Sequence, residues 1–401
     1  MNIKLARKLD LYLGIPLCWG FSLFDRVFRK PWEKKCHDQN SPKKIIFLLL
    51  SEMGSIILSC PAVEKVKKLY PKAEIYYWTF NENAEIIYNL KLMPEKNIIK
   101  ARSNNIFISI LDLIKNILKI RKIGIDTVID MELFTRASSI LSYATGAPER
   151  IGFYRFWDEG LYRGQLYTHK VKYNPYQHIK NNFIFLADRL NDYKNGSFSE
   201  KQTLDQDKTK LPVLNSSAQD KQAMWSKLRR INPLLKREWD FILINFGAFD
   251  KIELRKWPKE YYKELIGKIL KHENLCVIFV GMGQPDKKDI IKHERSINLI
   301  GKTNIKELIS LCNISKALIS HDNGIVHIAS LTKIFICALF GPETPLLYAP
   351  LSENKKIFYK EYPCSPCLSV YNQRSFECDN IKCMRSITVD EVYNSVSENV
   401  C

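Results

Sequence analysis

Two series of short apolar runs, each alternating with helix-like segments, constrain the fold of this chain more than any other feature. The first series extends from residues 45–50 to residues 127–130, and the second from residues 241–246 to residues 334–340. Continuous apolar runs of this length are typical of strands buried on both faces, and intervening helices require parallel strands with right-handed crossovers. The sequence therefore predicts an α/β protein of two Rossmann-like domains whose parallel sheets face an interdomain cleft.

A polar stretch between the two series sets the predicted domain boundaries. Residues 191–210 (NDYKNGSFSEKQTLDQDKTK) are poor in apolar side chains and rich in turn formers, which is typical of an exposed connector. We predict an N-terminal segment at 1–40, a first domain at 41–190, a linker at 191–215 and a second domain at 216–401. Asp205 and Asp207 form a DxD pattern, but no strand precedes them, so we interpret them as solvated charge and predict no catalytic metal.

The charge balance and the cysteines limit the partners and the compartment. Lys and Arg number 61 against 43 Asp and Glu, a net charge of +18 that favours anionic lipid, phosphorylated small molecules or nucleic acid. Most of the 11 cysteines are dispersed, several within apolar runs, which indicates free thiols in a reducing compartment. We therefore expect a cytoplasmic protein.

Residues 11–24 (LYLGIPLCWGFSLF) form an uncharged, mostly apolar segment with basic flanks. As a helix this segment spans about 21 Å, less than the roughly 30 Å of a hydrocarbon core. One interpretation is a peripheral, interfacial anchor on the anionic inner face of the cytoplasmic membrane. The other is a helix packed on the protein's own surface, and the sequence leaves both open.

The most informative cluster of polar residues begins at Ser320, where a predicted strand ends. Asn323 can cap the next helix, Gly324 permits close backbone approach, and the free N–H groups of a helix start attract anions. Asp322 could orient His327 or accept hydrogen bonds from sugar hydroxyls. The alternative is a capped turn with a buried histidine.

Other loops after strands extend this candidate donor site along the same sheet edge. They contribute glycines and, after the first strand of the second series, two cations that can neutralise a diphosphate. The candidate residues are Gly247, Arg255, Lys256, Gly281, Gly283, Gly341 and Thr344.

The motifs DNGIVHIASL, ALFGPETP, RKWPKEYY and SEMGSIILSCPAV together resemble those of glycosyltransferase family 9, the heptosyltransferase family. The resemblance extends from about residue 44 to the C-terminus, and Asp322, Gly324 and His327 match the family's donor block. It implies a GT-B fold, an ADP-linked heptose donor, and inverting, metal-independent transfer to a lipid-linked saccharide such as a lipopolysaccharide core. Arg255 lies where the family has a phosphate-binding lysine, and Asn323 replaces a threonine, which leaves the sugar and the nucleotide open.

The opening loop departs from the family at the residue implied to act as general base. Ser55 stands where the family has an aspartate after Gly54, and a hydroxyl does not accept a proton at neutral pH as a carboxylate does. We hypothesise that Glu52 is the base and that Ser55 binds acceptor or phosphate. Asp130 and Glu132, after a later strand, are the competing carboxylates.

Gly54, Asp130, Glu132 and Arg136 are the candidate acceptor-binding residues. Arg136 lies near the start of a basic and aromatic segment, residues 134–172, that could hold a phosphorylated or acidic lipid-linked saccharide. Ordinary surface cations around packed aromatics would have the same composition. A nucleic-acid partner is not predicted, because the segment contains no recognition motif.

Four cysteines, Cys364, Cys367, Cys378 and Cys383, are concentrated within a short C-terminal segment. Their spacing is compatible with a structural zinc, while disulfides or four reduced thiols remain open. No cofactor is required for the predicted transfer. The rival hypotheses are a sugar-nucleotide-binding protein that lost its base with Ser55, and an oxidoreductase that uses the Gly281-Met282-Gly283 turn.

Overall fold

The computed structural model describes residues 3–28, 41–50, 52–154, 161–195, 211–247, 252–283 and 290–400. Contacts divide the chain into two compact units. The first consists of Met1–Thr209 with Val370–Arg374, and the second of Lys210–Ser369 with Ser375–Cys401. The first unit thus includes a short segment from the C-terminal part of the chain, which the sequence does not predict.

The first unit contains a six-stranded parallel sheet in the order β3-β2-β1-β4-β5-β6. Its strands are β1 Lys44–Leu48, β2 Glu74–Phe80, β3 Ile98–Ala101, β4 Thr127–Asp130, β5 Glu149–Tyr154 and β6 His169–Lys172. Strand order reverses between β1 and β4. Ligands of open α/β sheets bind beyond the carboxyl ends of the strands at such a reversal. The loops after β1 and β4 are therefore the expected location of a site in this unit.

Helices cover both faces of this sheet. They are α1 Ile3–Tyr12, α2 Gly14–Phe28, α3 Met53–Leu69, α4 Asn81–Asn89, α5 Ile106–Ile123, α6 Arg136–Ala144 and α7 Ile179–Asn195. Ile120 of α5 and Leu141 of α6 share one core cluster with Val128 of β4. Phe153 of β5 points to the opposite face, because side chains alternate along a strand, and contacts Phe183 of α7.

The N-terminal helices α1 and α2 pack against α6. Asp10 accepts hydrogen bonds from the backbone N–H groups of Arg136 and Ala137, both at 2.9 Å, and so caps the start of α6. Cys18 of α2 is fully buried against α6, and Asp25 accepts a hydrogen bond from the Tyr143 hydroxyl at 3.0 Å. One face of this helix pair therefore packs on the protein. Within the described ranges, no helix has both the length and the apolarity to cross a membrane.

The second unit repeats the sheet topology, with the order β12-β11-β10-β7-β8-β9 and all neighbours parallel. Its strands are β7 Asp240–Asn245, β8 Leu275–Phe279, β9 Ser296–Asn298, β10 Ala317–His321, β11 Phe335–Leu339 and β12 Lys355–Phe358. Strand order reverses between β7 and β10. This reversal places the loops after β7 and β10 side by side at the carboxyl edge of the sheet.

The helices of the second unit connect these strands. They are α8 Ala218–Ile231, α9 Lys259–Ile269, α10 Ile305–Asn313, α11 Gly324–Ala329, α12 Pro345–Tyr348, α13 Lys382–Arg385 and α14 Val389–Val400. Asn304 and Glu307 form a capping box that begins α10. Trp257, which is buried, donates from Nε1 to the Ile387 carbonyl oxygen at 3.0 Å and fixes the start of α9 to the C-terminal segment.

The predicted α/β class with two parallel sheets is confirmed, but the sequence missed several elements. Strands β5 and β6 lie within the segment interpreted only as basic and aromatic, and the short strands β9 and β12 at the sheet edges were not predicted. Helix α7 extends to Asn195, beyond the predicted start of the linker. The rest of the connector up to residue 210, with Asp205 and Asp207, lies outside the described residues, as do residues 155–160.

Candidate active site

The loop after β1 presents Glu52 at the start of α3. Its backbone has φ 68° and ψ 96°, a left-handed conformation that is uncommon for a residue with a Cβ and costs of order 1–3 kcal/mol. The Ser55 hydroxyl donates to Glu52 Oε2 at 3.2 Å. Gly54 and Ser55 are buried, whereas the Glu52 side chain is 47% exposed. The structure thus holds the predicted base at the switch point of the first sheet with its carboxylate accessible.

Arg374 forms an ion pair with Glu52 in which Nη1 donates to Oε1. The Arg374 side chain is only 11% exposed, and its segment is fixed to the first unit by Tyr371, whose ring packs on Phe134 and Tyr173 at 5.9 and 6.2 Å. Sequence reasoning missed Arg374, because 322 positions separate it from Glu52 and no motif links them. This arginine orients the carboxylate of Glu52.

A second cation approaches the same loop from helix α1. Burial lowers the pKa of the Arg7 guanidinium, the positive charge of Arg374 lowers it further, and the carboxylate of Glu52 opposes both effects. The N-terminal helices therefore contribute charge to the surroundings of Glu52, and two arginines face one carboxylate.

The predicted acceptor-binding carboxylates are buried with protein partners. Asp130 is fully buried, accepts from Arg163 Nη2 at 2.7 Å and also accepts from the Tyr167 hydroxyl. Burial raises the pKa of Tyr167 well above its ordinary value, which keeps that hydroxyl protonated as a donor. Glu132 accepts from the backbone N–H of Leu50 at 2.7 Å, which ties the loop after β4 to the loop after β1. This placement favours a role in shaping the Glu52 loop over direct contact with an acceptor.

Arg136 is also buried, with 3% of its surface exposed. Its side chain pairs with Asp10 at 3.1 Å, and its backbone N–H is capped by the same carboxylate. The side chain therefore links α1 to α6. Because Arg136 is buried and paired within the protein, as Asp130 is, a direct contact between Arg136 and an acceptor is disfavoured.

In the second unit, the predicted donor block lies where β10 ends. Asn323 caps α11, since its side-chain oxygen accepts from the Ile325 N–H at 2.9 Å. Its amide nitrogen lies 3.3 Å from Nε2 of His321, a buried histidine that the sequence did not single out. His327 is buried in the last turn of α11. Helix α11 has only six residues, so its dipole is weak and an anion at this edge would depend on individual N–H groups and side chains.

The four glycine-containing loops follow neighbouring strands of the second sheet. Gly247 has φ 68°, and a Cβ at this position would lie 2.4 Å from His321 Cε1, so only glycine fits. The Gly247 N–H donates to Asn245 Oδ1 at 2.9 Å, and Asn245 Nδ2 donates to Ser320 Oγ at 3.3 Å. Gly281 packs beside the same Asn245. Asn245, which the sequence did not single out, thus connects the loops after β7, β8 and β10.

The remaining predicted donor residues lie at the same strand ends. Gly283 continues the turn after β8 with φ 85°, and Gly324 opens α11. Gly341 follows β11, and Thr344 caps α12 by accepting from the Leu346 N–H at 3.2 Å. The sheet topology therefore gathers the predicted donor residues at one edge.

The two predicted phosphate-binding cations have carboxylate partners. Arg255 lies between Asp322, at 3.5 Å from Nε to Oδ2, and Glu343, at 2.7 Å from Nη2 to Oε1. All three side chains are largely buried, and Glu343 is 1% exposed. Lys256 pairs at 2.7 Å with Glu253, whose side chain is 79% exposed. A diphosphate could displace the exposed Glu253 far more readily than the two buried carboxylates.

The four C-terminal cysteines are free thiols that lie within electrostatic reach of one another. Burial raises the pKa of Cys383 to about 11, and Cys367, Cys364 and Cys378 add to the shift. In the part of the chain that the structure describes, no three or more His, Cys, Asp or Glu side chains are arranged to hold a metal ion. The thiols therefore do not form a preformed metal site.

Comparison with known proteins identifies relatives with the same fold. The model of glycosyltransferase family 9 (heptosyltransferase) matches residues 114–376. Lipooligosaccharide heptosyltransferase 2 of Campylobacter jejuni is 26% identical over 43% of this chain and 55% of its own length. The lipopolysaccharide core heptosyltransferase OpsX of Haemophilus influenzae is 23% identical over 80% of this chain and 86% of its own length.

A solved structure extends the likeness to most of the chain. The Escherichia coli ADP-heptose LPS heptosyltransferase II superposes with a TM-score of 0.65 at 17% identity, covering 88% of this chain and 98% of its own. This likeness shows the GT-B fold. The chain spans about half the length of the first curated relatives it matches. Because the family model covers more than half of the chain, and because the predicted donor residues meet at one sheet edge, this chain belongs to glycosyltransferase family 9, the heptosyltransferase family.

Proposed function

We propose that this chain is an inverting glycosyltransferase that moves a sugar from a nucleoside-diphosphate sugar to a lipopolysaccharide-core or similar surface-glycan acceptor. The observation that carries the proposal is the pair of switch-point sites: an accessible, oriented carboxylate at the first, and a set of glycine-lined loops with cations at the second. In this assignment, residues 41–190 form the acceptor domain, residues 216–401 form the donor domain, and residues 191–215 join them. The relatives named for heptose transfer support heptose as the sugar and ADP as the nucleotide.

The transfer needs no group beyond these side chains. The acceptor hydroxyl attacks the anomeric carbon, its proton passes to Glu52, and the bond from that carbon to the diphosphate oxygen breaks as the nucleoside diphosphate leaves. Arg374 is a positioning residue that holds Glu52, and Ser55 donates a hydrogen bond to it. Lys256, released from Glu253, stabilises the departing diphosphate together with the N–H groups of the Asn323 loop. Arg255 supports that loop by holding Asp322 and Glu343.

A panel of nucleoside diphosphates tests donor binding by thermal shift. We expect ADP, at about one hundred times its Kd, to stabilise the protein by about 2.7 kcal/mol, and more than UDP or GDP do at the same concentration. Adenosine with free phosphate serves as the control, since it lacks the joined diphosphate. Equal shifts for ADP and this mixture would contradict the donor site. Binding of ADP-sugar without transfer to any acceptor would support the rival hypothesis of an inactive member.

Helices α1 and α2 are proposed to place the protein peripherally at the inner face of the cytoplasmic membrane. The face of α2 opposite the buried Cys18 is apolar and exposed, with Trp19 at 62%, Leu23 at 46% and Phe24 at 53%. Packing on α6 and contact with lipid are therefore compatible, because they use different faces of the helix. A lipid-linked acceptor would be met at that surface.

The four C-terminal thiols are proposed to have a structural role, with zinc as the metal that their chemistry suits. Zinc binding would require the four side chains to move together, because the structure does not arrange them around a common centre. Zinc binds thiolates, and burial raises the pKa of Cys383 to about 11, so zinc affinity should rise as the pH rises. Protein purified without chelator should contain about one zinc per chain, and chelation should expose four additional thiols to alkylation. Metal-free protein with the exposed Cys364 already reactive would contradict zinc.

A further inference from the structure

Helix α5 carries a stripe of exposed apolar side chains that the fold of the first unit does not use. Its members follow helical spacing, so they lie on one face, and their exposed fractions range from 49% for Ile110 to 75% for Phe107. The α5 stripe consists of Phe107, Ile110, Leu111, Ile114 and Leu118. A surface helix ordinarily presents polar residues on this side.

An adjoining face of the same helix supplies the core contact. Ile120 is fully buried, and Leu113 and Ile117 pack against the core cluster formed with the sheet. The Asn105 cap and Gly124, with φ 74° at the C-cap, fix both ends of the helix. The stripe is therefore held facing away from the protein, and a contiguous exposed apolar patch of this kind marks an interaction site.

The charges beside the stripe suit an anionic partner. Lys115, Lys119 and Lys122 are exposed and, at spacings of four and three residues, form a row along one side of it. The one acidic residue in the α5 sequence, Asp112, is neutralised by Arg102, whose Nε and Nη2 donate to it at 2.7 and 2.8 Å. Apolar side chains flanked by lysines are the pattern of helices that lie in the interface of an anionic bilayer.

The α5 stripe and the apolar face of α2 are connected through α6. Helices α5 and α6 cover one face of the sheet, and α2 packs on α6. Arg121 of α5 donates from Nε to the Ala144 carbonyl oxygen at 2.8 Å, which ties the end of α5 to the end of α6. The first unit therefore has two separate apolar surfaces with exposed side chains, one on α5 and one on α2.

We propose that the α5 stripe is a second membrane-contacting surface, which binds an anionic bilayer through Phe107, Ile110, Leu111, Ile114 and Leu118 with the lysine row on the headgroups. The inference deepens the membrane location of the proposed function and does not depend on the transfer reaction. A second contact in addition to that of α2 restricts the orientation of the first unit on the bilayer, whereas a single helix leaves the unit free to rotate about that helix. Such orientation fits an enzyme whose acceptor is embedded in lipid.

Co-sedimentation of the full-length protein with vesicles tests this surface. With vesicles of phosphatidylethanolamine and phosphatidylglycerol, the variant Leu111→Gln/Ile114→Gln/Leu118→Gln should bind at least about tenfold more weakly than the unaltered protein. The variant Lys115→Gln/Lys119→Gln/Lys122→Gln should lose the preference for anionic over neutral vesicles. Val213→Gln/Leu234→Gln, at two exposed apolar positions of the second unit, is the matched control and should bind normally.

Two outcomes would overturn the proposal, and a control measurement separates it from the proposed function. Unchanged binding of both α5 variants, with loss of binding in Trp19→Gln/Leu23→Gln, would overturn the α5 contact and leave the α2 contact intact. If the unaltered protein is a dimer in size-exclusion chromatography and the α5 apolar variant is a monomer, the stripe binds a second copy and the bilayer assignment is wrong. Nucleotide-induced thermal shifts of each variant report folding and donor binding separately, so failure of this inference is distinct from failure of the proposed function.

Discussion

Glu52→Gln should lower kcat by about 10²–10⁴-fold while leaving the Kd for the nucleotide nearly unchanged. Glutamine preserves the size and the contacts of the side chain but cannot accept the proton of the acceptor hydroxyl. The donor residues lie in the other unit and are unaffected. Steady-state transfer assays combined with nucleotide titration measure both quantities.

Two controls make this result specific. Glu64→Gln removes another carboxylate of α3 with 49% side-chain exposure, close to the 47% of Glu52, and should leave kcat unchanged. Ser55→Ala removes a single 3.2 Å hydrogen bond to Glu52 and should cost about tenfold or less. Near-normal activity of Glu52→Gln would refute its assignment as the base.

Arg255→Met should lower the free energy of unfolding by about 3–5 kcal/mol, the cost of leaving buried carboxylates without their cation. Asp322 and Glu343 both lose their ion pair with Arg255 in this variant, and both side chains are too buried to be solvated by water. Urea denaturation of the purified protein measures the loss. Adding Glu343→Gln to Arg255→Met should recover part of this loss, because one of the two buried negative charges is removed.

Lys256→Met is the matched comparison. Its partner Glu253 is 79% exposed, so the stability should change by less than about 1 kcal/mol. The affinity for ADP should nevertheless fall about tenfold, because a charge-assisted contact to the diphosphate is lost. An Arg255→Met variant of normal stability and weak ADP binding would instead assign the direct phosphate contact to Arg255.

Local patterns were sufficient to predict the central elements of both sheets. Strands β1, β4, β7, β10 and β11 are continuous apolar runs, and such runs identify buried strands without any knowledge of their neighbours. The edge strands β6, β9 and β12 were missed, because three or four residues with mixed polarity give no periodic signal. Once these strands were identified, the edge at which the candidate donor residues lie was also predictable, because the carboxyl ends of parallel strands meet at one edge of the sheet.

Partners in the candidate site could not be predicted in the same way. Arg255 was expected to face a phosphate, and the structure places it between Asp322 and Glu343. Asp130 was an alternative candidate for the general base, and the structure pairs its carboxylate with Arg163 in the core. The sequence does not distinguish a charged side chain that faces solvent from one that is paired inside the protein, because burial and pairing depend on tertiary packing.

The sequence by itself determined the α/β class, the repeated parallel sheets and the loops that follow their strands, since each rests on residues close together in the chain. The role of Glu52 as the base stays a prediction. Only the tertiary structure decided which charges meet: Arg374 with Glu52, Asp10 with the start of α6, and Glu343 with Arg255. It also decided that α5 has two sets of apolar side chains, one packed against the core and one exposed. The physical reason is that hydrophobic periodicity is a local property, whereas pairing and exposure follow from contacts between distant segments.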